Sequence, residues 1–252
     1  MQISPEPRNT NSIVMKILNT KASMVYLIIK RAMISHFHKA IFIHIPKCAG
    51  QSVEEAFCRD IGISWEERAA LLLRPKGKAD TNKAPERLAH LKAREYVALK
   101  YIPEDMYKKY LKFAIIRNPW DRIFSIYKYL GRGSGTFKDF TYKKLGNVES
   151  AKSLPFFWHS QYEYLCSDKG EIIVDNIVKF ENMSETIESI FVKLGFSEPT
   201  LPYRNRSKDI KAKGKSNSIH ANYKDFYCEE TKAIIQRLYS NDIEQFGYTF
   251  EQ

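Results

Sequence analysis

Two short segments combine the residue types that hold phosphate-like anions. The first, His44-Ile45-Pro46-Lys47-Cys48-Ala49-Gly50-Gln51-Ser52, follows the apolar run 40–45 and leads into 51–57, where Val53, Ala56 and Phe57 recur at helical spacing. A turn from strand to helix shows an anion backbone N–H groups and the positive end of the helix dipole. Gly50 permits close approach there and Lys47 adds a full charge. Because Lys47 precedes the only glycine, the segment reverses the order G-x-x-x-x-G-K-[ST], which disfavours a Walker A loop and nucleoside triphosphate hydrolysis. Taken alone, it also fits an ordinary β–α turn with a surface lysine. The second segment, Arg117-Asn118-Pro119-Trp120-Asp121-Arg122-Ile123-Phe124-Ser125, follows the apolar run 111–116. Arg117 can grip a phosphate through two parallel N–H bonds and Ser125 can donate from the adjoining helix, while Arg122 reads as the partner of a nearby acid. Ligands of open α/β sheets gather at the carboxyl ends of strands, so both segments can face one crevice and hold a ligand with two phosphates.

The elements that position these segments alternate strand and helix. Residues 40–45 and 111–116 read as buried strands, each followed by a helix, the second helix opening on Asn118 as cap with Pro119 in its first turn. Ile123, Ile126, Tyr127 and Leu130 then line one face. A third unit runs from a strand at 172–180 through a capping box at Asn182–Glu185 to a helix lined by Ile187, Ile190, Phe191 and Leu194, with Gly195 as its stop. Further helices are expected at 86–100, 104–110 and 223–239, and loops at 131–135 and 204–222. This order predicts a parallel-sheet α/β domain. Residues 1–12 are polar with two prolines, and 13–34 suit an amphipathic surface helix able to touch lipid peripherally, with Met33 a possible alternative start.

Composition sets the outer bounds. The chain has 252 residues, 44% apolar and 13% aromatic, enough for a core and too apolar for general disorder. No run of about 18 uncharged apolar residues and no secretory signal pattern is found, which gives an expectation of a cytoplasmic protein without a transmembrane span. The formal charge of +11 favours polyanionic partners without choosing among them, and no nucleic-acid motif accompanies it. Cys48, Cys58, Cys166 and Cys228 lack ligand or disulfide spacing and read as packed thiols. His36, His38, His44 and Cys48 straddle a strand and its loop, so no metal is expected.

Together the two anion segments resemble sulfotransferases that use 3′-phosphoadenosine 5′-phosphosulfate (PAPS), in particular the carbohydrate branch (heparan/chondroitin-type) and its bacterial relatives. The resemblance rests on IFIHIPKCAGQSVEEAF and FAIIRNPWDRIFSIY, and extends through AHLKAREY, IIVDNIVKFEN, LPYRNRS and DIEQFGYTF. It covers 33–250 and leaves out the first 32 residues, so the expected organisation is an extension at 1–32 and one domain at 33–252. It implies a P-loop-like, three-layer fold with a central, mostly parallel sheet. It further implies that Lys47 and the backbone of Cys48, Ala49, Gly50, Gln51 and Ser52 hold the 5′-phosphosulfate, that Arg117 and Ser125 hold the 3′-phosphate, and that no metal takes part. The family often has hydroxyl residues where this chain has Cys48 and Gln51, a change to which backbone donors are indifferent.

Transfer to a hydroxyl requires a base. The resemblance points to His90, with His44, Glu54 and Glu55 as rivals; a capping or surface role for His90, a core role for His44 and a solvated face for the glutamates are the structural alternatives. Lys47 would stabilise the leaving group. Within the basic loop Arg204, Arg206, Lys208, Lys211, Lys213 and Lys215, the residues Asn205, Ser207 and Lys213 are candidates for an acceptor contact or flap. Trp158, His159 and Tyr162 could stack on a sugar, although core packing suits most of them better. The implied partners are PAPS or its product adenosine 3′,5′-bisphosphate (PAP) and a carbohydrate or glycoconjugate. Two other classes stay open: a non-catalytic polyanion-binding domain, marked by steep salt dependence, and a nucleotide-dependent kinase, marked by ATP-Mg²⁺ turnover.

Overall fold

The computed structural model describes residues 33–71, 90–130, 135–145, 156–202 and 222–251. Four strands form one sheet in the order β1 (Met33–Ser35), β2 (Ala40–Ile43), β3 (Leu111–Ile116) and β4 (Asn176–Lys179). β2, β3 and β4 are parallel, with Phe42 opposite Phe113 and Ile116 opposite Lys179. β1 is antiparallel to β2, pairing Met33 with Phe42. The end of the expected amphipathic helix is thus a strand: Met33, Ile34 and Ser35 are all buried, and ladder pairing satisfies backbone groups that a helix on the surface would leave to water. The rest of that segment lies outside the described residues.

Helices cover the sheet. α1 (Gly50–Asp60) follows β2, α2 (Glu95–Ala98) and α3 (Glu104–Lys109) precede β3, and α4 (Pro119–Leu130) follows it. α5 (Phe137–Leu145), α6 (Gln161–Leu165), α7 (Met183–Lys193), α8 (Glu229–Leu238) and α9 (Ser240–Phe246) complete the set among the described residues. One core cluster is built on the sheet, with Phe42, Phe57, Phe113 and Phe191 fully buried; a second, mostly aromatic, packs Trp120, Phe124, Phe140 and Trp158 against α8. Each such ring removed from water contributes about 1.5–3 kcal/mol.

Local signals hold where nothing tertiary competes. Asn118 Oδ1 accepts the Trp120 N–H at 3.1 Å, the expected cap of α4, and Gly195 takes φ +79 at the end of α7. Elsewhere long-range contacts win. Residues 172–175 leave the strand pattern, Ile172 making an isolated bridge to Cys166. Asn182 caps α7 without a side-chain hydrogen bond, a 3₁₀ turn (Phe180–Asn182) replacing the capping box. The helix expected at 86–100 shrinks to α2 among the described residues, because the Ala93 N–H donates to the Tyr164 carbonyl at 2.8 Å. The one expected at 223–239 breaks at Tyr227, whose hydroxyl donates to the Trp120 carbonyl at 2.8 Å. On α4, Ile123 and Ile126 are buried but Leu130 is exposed, Trp120 and Phe124 taking the core positions.

Candidate functional site

The segment from His44 to Gly50 leaves the carboxyl end of β2 and enters α1. Two non-glycine residues in it, Lys47 (φ +67) and Ala49 (φ +56), adopt left-handed backbone, a conformation costing about 1–3 kcal/mol that persists where surroundings impose it. Left-handed residues ahead of a helix curl successive N–H groups toward one point, the geometry of an anion-binding nest. The first turn of α1 adds the positive end of its dipole, and within that turn the Ser52 N–H donates to the Ala49 carbonyl at 2.9 Å. Ser52 is buried in that turn and Gln51 is partly exposed.

Gly50 is present for space. A Cβ there would lie 1.9 Å from Nε2 of His44. His44 is itself buried, its Nδ1–H donating to Glu54 Oε1 at 2.9 Å. With one nitrogen on Glu54 and the other closed in by Gly50, His44 has a core role. Glu54 is buried as its partner, so the expected solvated face applies at most to Glu55, which is partly buried.

His90 is neither a surface nor a capping residue. It is 6% exposed, and its Nδ1–H donates to the His44 carbonyl at 2.7 Å. A carbonyl accepts only, so the neutral imidazole carries its lone pair on Nε2, the tautomer a proton acceptor needs. The ring lies edge-on to His44 at 4.6 Å and stacks on Phe156 at 4.9 Å.

The second anion segment meets the first directly. Arg117 Nη1 donates to the Lys47 carbonyl at 3.3 Å, and its guanidinium lies 4.3 Å over the Phe180 ring. The sequence expectation of a guanidinium open for two-pronged capture is corrected here: Nε and Nη2 both bond Asp121 Oδ2, at 2.7 and 2.6 Å. An anion at this point would have to share Arg117 with that carboxylate. Asp121, Ser125 and Lys128 follow one another at helical spacing on α4, so they share the face over which Arg117 lies. Ser125 is partly exposed. The Lys128 ammonium is pushed below the usual lysine range, first by desolvation and then by the Arg117 guanidinium, which indicates two cations close together.

Among the described residues Arg122 forms no ion pair with an acid. Fully buried, it donates to the carbonyls of Pro46, His159 and Phe157 at 3.2, 3.0 and 2.9 Å, clamping the anion loop to the aromatic stretch. Gln161 is a second clamp that carries no sequence signal. Its Oε1 accepts the Arg117 N–H and its Nε2 donates to the Arg117 carbonyl, both at 2.8 Å, while Cys48 Sγ lies 3.4 Å from Oε1. Asp242, buried in α9, accepts the N–H groups of Gln161 and Tyr162 at 2.9 and 2.8 Å and is held above the usual carboxylate range by desolvation. Burial also pushes the Cys48 thiol up to about 12, so it is neutral at working pH.

Of the aromatic stretch, Trp158 is buried in the second core and, together with His159 and Tyr162, lines a cavity of about 510 Å³ with Arg94, Glu163 and Tyr239. Tyr129, missed in the sequence, lies under Lys47, whose Nζ is 4.5 Å from the ring centre; its place one helical turn beyond Ser125 was the available signal. Asn205, Ser207 and Lys213 lie outside the described residues. Among the described residues no group of three His, Cys, Asp or Glu side chains is placed to hold a metal, and no helix is long and apolar enough to cross a membrane. His36 bonds Tyr110 and His38 bonds Asp60, each at 2.8 Å, well apart from the anion loop in their contacts.

The model of the Sulfotransferase family matches residues 30–249. No curated protein and no solved structure matches the chain.

Proposed function

The chain belongs to the sulfotransferase family, and from that premise we propose that it moves a sulfuryl group from PAPS to a hydroxyl of a carbohydrate or glycoconjugate. The observation that supports this most is the contact of the two anion segments through Arg117 and the Lys47 carbonyl, with His90 hung from the same strand end. The left-handed loop fits a phosphosulfate, and the Arg117, Ser125 and Lys128 face fits a second phosphate.

In this reading Lys47 and the backbone of Cys48 to Ser52 hold the 5′-phosphosulfate, while Arg117 and Ser125 hold the 3′-phosphate. When bound, PAPS supplies a sulfuryl group whose bond to the bridging oxygen breaks as the acceptor oxygen bonds sulfur, the electron pair leaving on the phosphate. His90 takes the acceptor proton at Nε2, the nitrogen opposite its bond to the His44 carbonyl. Lys47 neutralises charge that grows on the bridging oxygen. Asn205, Ser207 and Lys213 are kept as acceptor contacts of the domain 33–252.

Calorimetric titration of PAP, AMP and ATP at moderate salt tests the donor site. Binding should require the 3′-phosphate and weaken about ten- to a hundredfold in Lys47→Ala and in Arg117→Ala, the loss expected for one charge-assisted contact. His90→Ala should keep PAP binding and lose about 10²–10⁴ in kcat. Equal, salt-sensitive binding of all nucleotides by folded wild type and variants would overturn the reading.

A further inference from the structure

Lys47 and His90 are joined by a continuous strip of aromatic rings. The Lys47 ammonium lies 4.5 Å from the centre of the Tyr129 ring, and that ring lies 5.8 Å from Phe157. Phe157 contacts Phe156 at 4.3 Å, and Phe156 stacks nearly parallel on the His90 imidazole at 4.9 Å and 12°. Three distant parts of the chain supply it: the last turn of α4, the 3₁₀ turn Phe156–Trp158, and the segment that carries His90.

Exposure along the strip is graded. Tyr129 is 47% exposed and Phe156 partly exposed, whereas Phe157 is buried behind them. The result is a stepped apolar face, its rings tilted by 39° at Phe157, water-accessible at Tyr129 and Phe156, with a cation at one end and an imidazole at the other. A phenol or steroid acceptor needs most of its surface enclosed. A sugar ring needs only one apolar face covered, since its C–H groups lie against an aromatic π-face while its hydroxyls stay in water or meet polar groups at the edge.

We infer that this strip is the acceptor platform, and that what it takes is a pyranose ring laid against Tyr129 and Phe156 with a hydroxyl directed toward His90. The inference rests on the proposed function and deepens it. Tyr129 then has two duties, one face of the strip for the sugar and a hold on Lys47, and these separate experimentally.

The test uses radiolabelled PAPS with unsulfated chondroitin, heparosan and dextran as acceptors, p-nitrophenol as a non-carbohydrate acceptor, and PAP calorimetry on the same proteins. Tyr129→Ala should raise the polysaccharide KM about tenfold or more, while PAP affinity, which Tyr129 reaches only through its contact with Lys47, falls by no more than about fivefold. Tyr129→Phe, which keeps the ring, should restore the KM, and Tyr142→Ala, an exposed tyrosine on α5, should change neither. An unchanged KM in Tyr129→Ala, or a fall in PAP affinity that matches the rise in KM, overturns the platform. Wild type that binds PAP yet sulfates none of the polysaccharides also overturns it and leaves the donor site standing; absence of 3′-phosphate-dependent PAP binding removes the proposed function itself.

Discussion

Cys48 occupies the centre of the anion loop, where a thiol invites a nucleophilic or redox reading. Its surroundings argue otherwise. Desolvation holds the neutral thiol well past the working range, with only partial opposition from Arg122 and Arg117, and the sulfur is enclosed between the Pro46 carbonyl and Gln161. Iodoacetamide at pH 8 should therefore modify half-buried Cys228 first in the native protein and reach Cys48 only on unfolding. Mass-spectrometric mapping checks this, and equal labelling rates at the two positions would contradict it.

At the scale of elements, the junction of β2 and α1 is the most constrained part of the site. Gly50 starts the helix against the ring of His44, and that ring cannot swing away because Glu54, one turn into the same helix, holds its other nitrogen. Gly50→Ala would drive a methyl into a buried, tethered ring. The expected outcome is a loss of about 1–3 kcal/mol in urea-measured stability, accompanied by weaker PAP binding as the loop is displaced. Full retention of both would show that the strand end relaxes freely. The same logic explains why helices expected at 86–100 and 223–239 are cut short: one backbone bond to Tyr164 and one buried hydroxyl on Tyr227 outweigh propensities worth only a few tenths of a kcal/mol per residue.

For the molecule as a whole, Glu163 links the His90 segment to the aromatic stretch. Its carboxylate accepts from Lys92 and from His159, the latter at 2.9 Å, with Arg94 at 3.9 Å. The His159 hydrogen bond chiefly, then Lys92, depress it from 4.5 to about 2. A carboxylate lowered on folding contributes stability that is complete above its unfolded value and lost as the pH falls through the folded one. Thermal midpoints of wild type and Glu163→Gln should differ at pH 7 and converge between about pH 4.5 and 2. A difference constant across that range would mean that the charge on Glu163 contributes nothing. The side chain is partly exposed, so the effect at neutral pH should be modest.

The sequence by itself determined the α/β class and the strand ends from which the two polar segments leave, because those features are local: apolar periodicity, a strand followed by a polar turn, a proline in the first helical turn. It determined the family as well, through the same two segments. What lay beyond it depends on which side chains the folded chain brings into contact. Only the tertiary structure decided that His44 is locked by Glu54 and Gly50 while His90 bonds the His44 carbonyl through Nδ1. Only it revealed that Arg117 is already held by Asp121, and that Arg122 and Gln161 clamp the loop from buried positions. A buried polar group is defined by what it bonds, and the bonds made by His90, Arg122 and Gln161 join residues 35 to 113 positions apart, a separation no local pattern encodes.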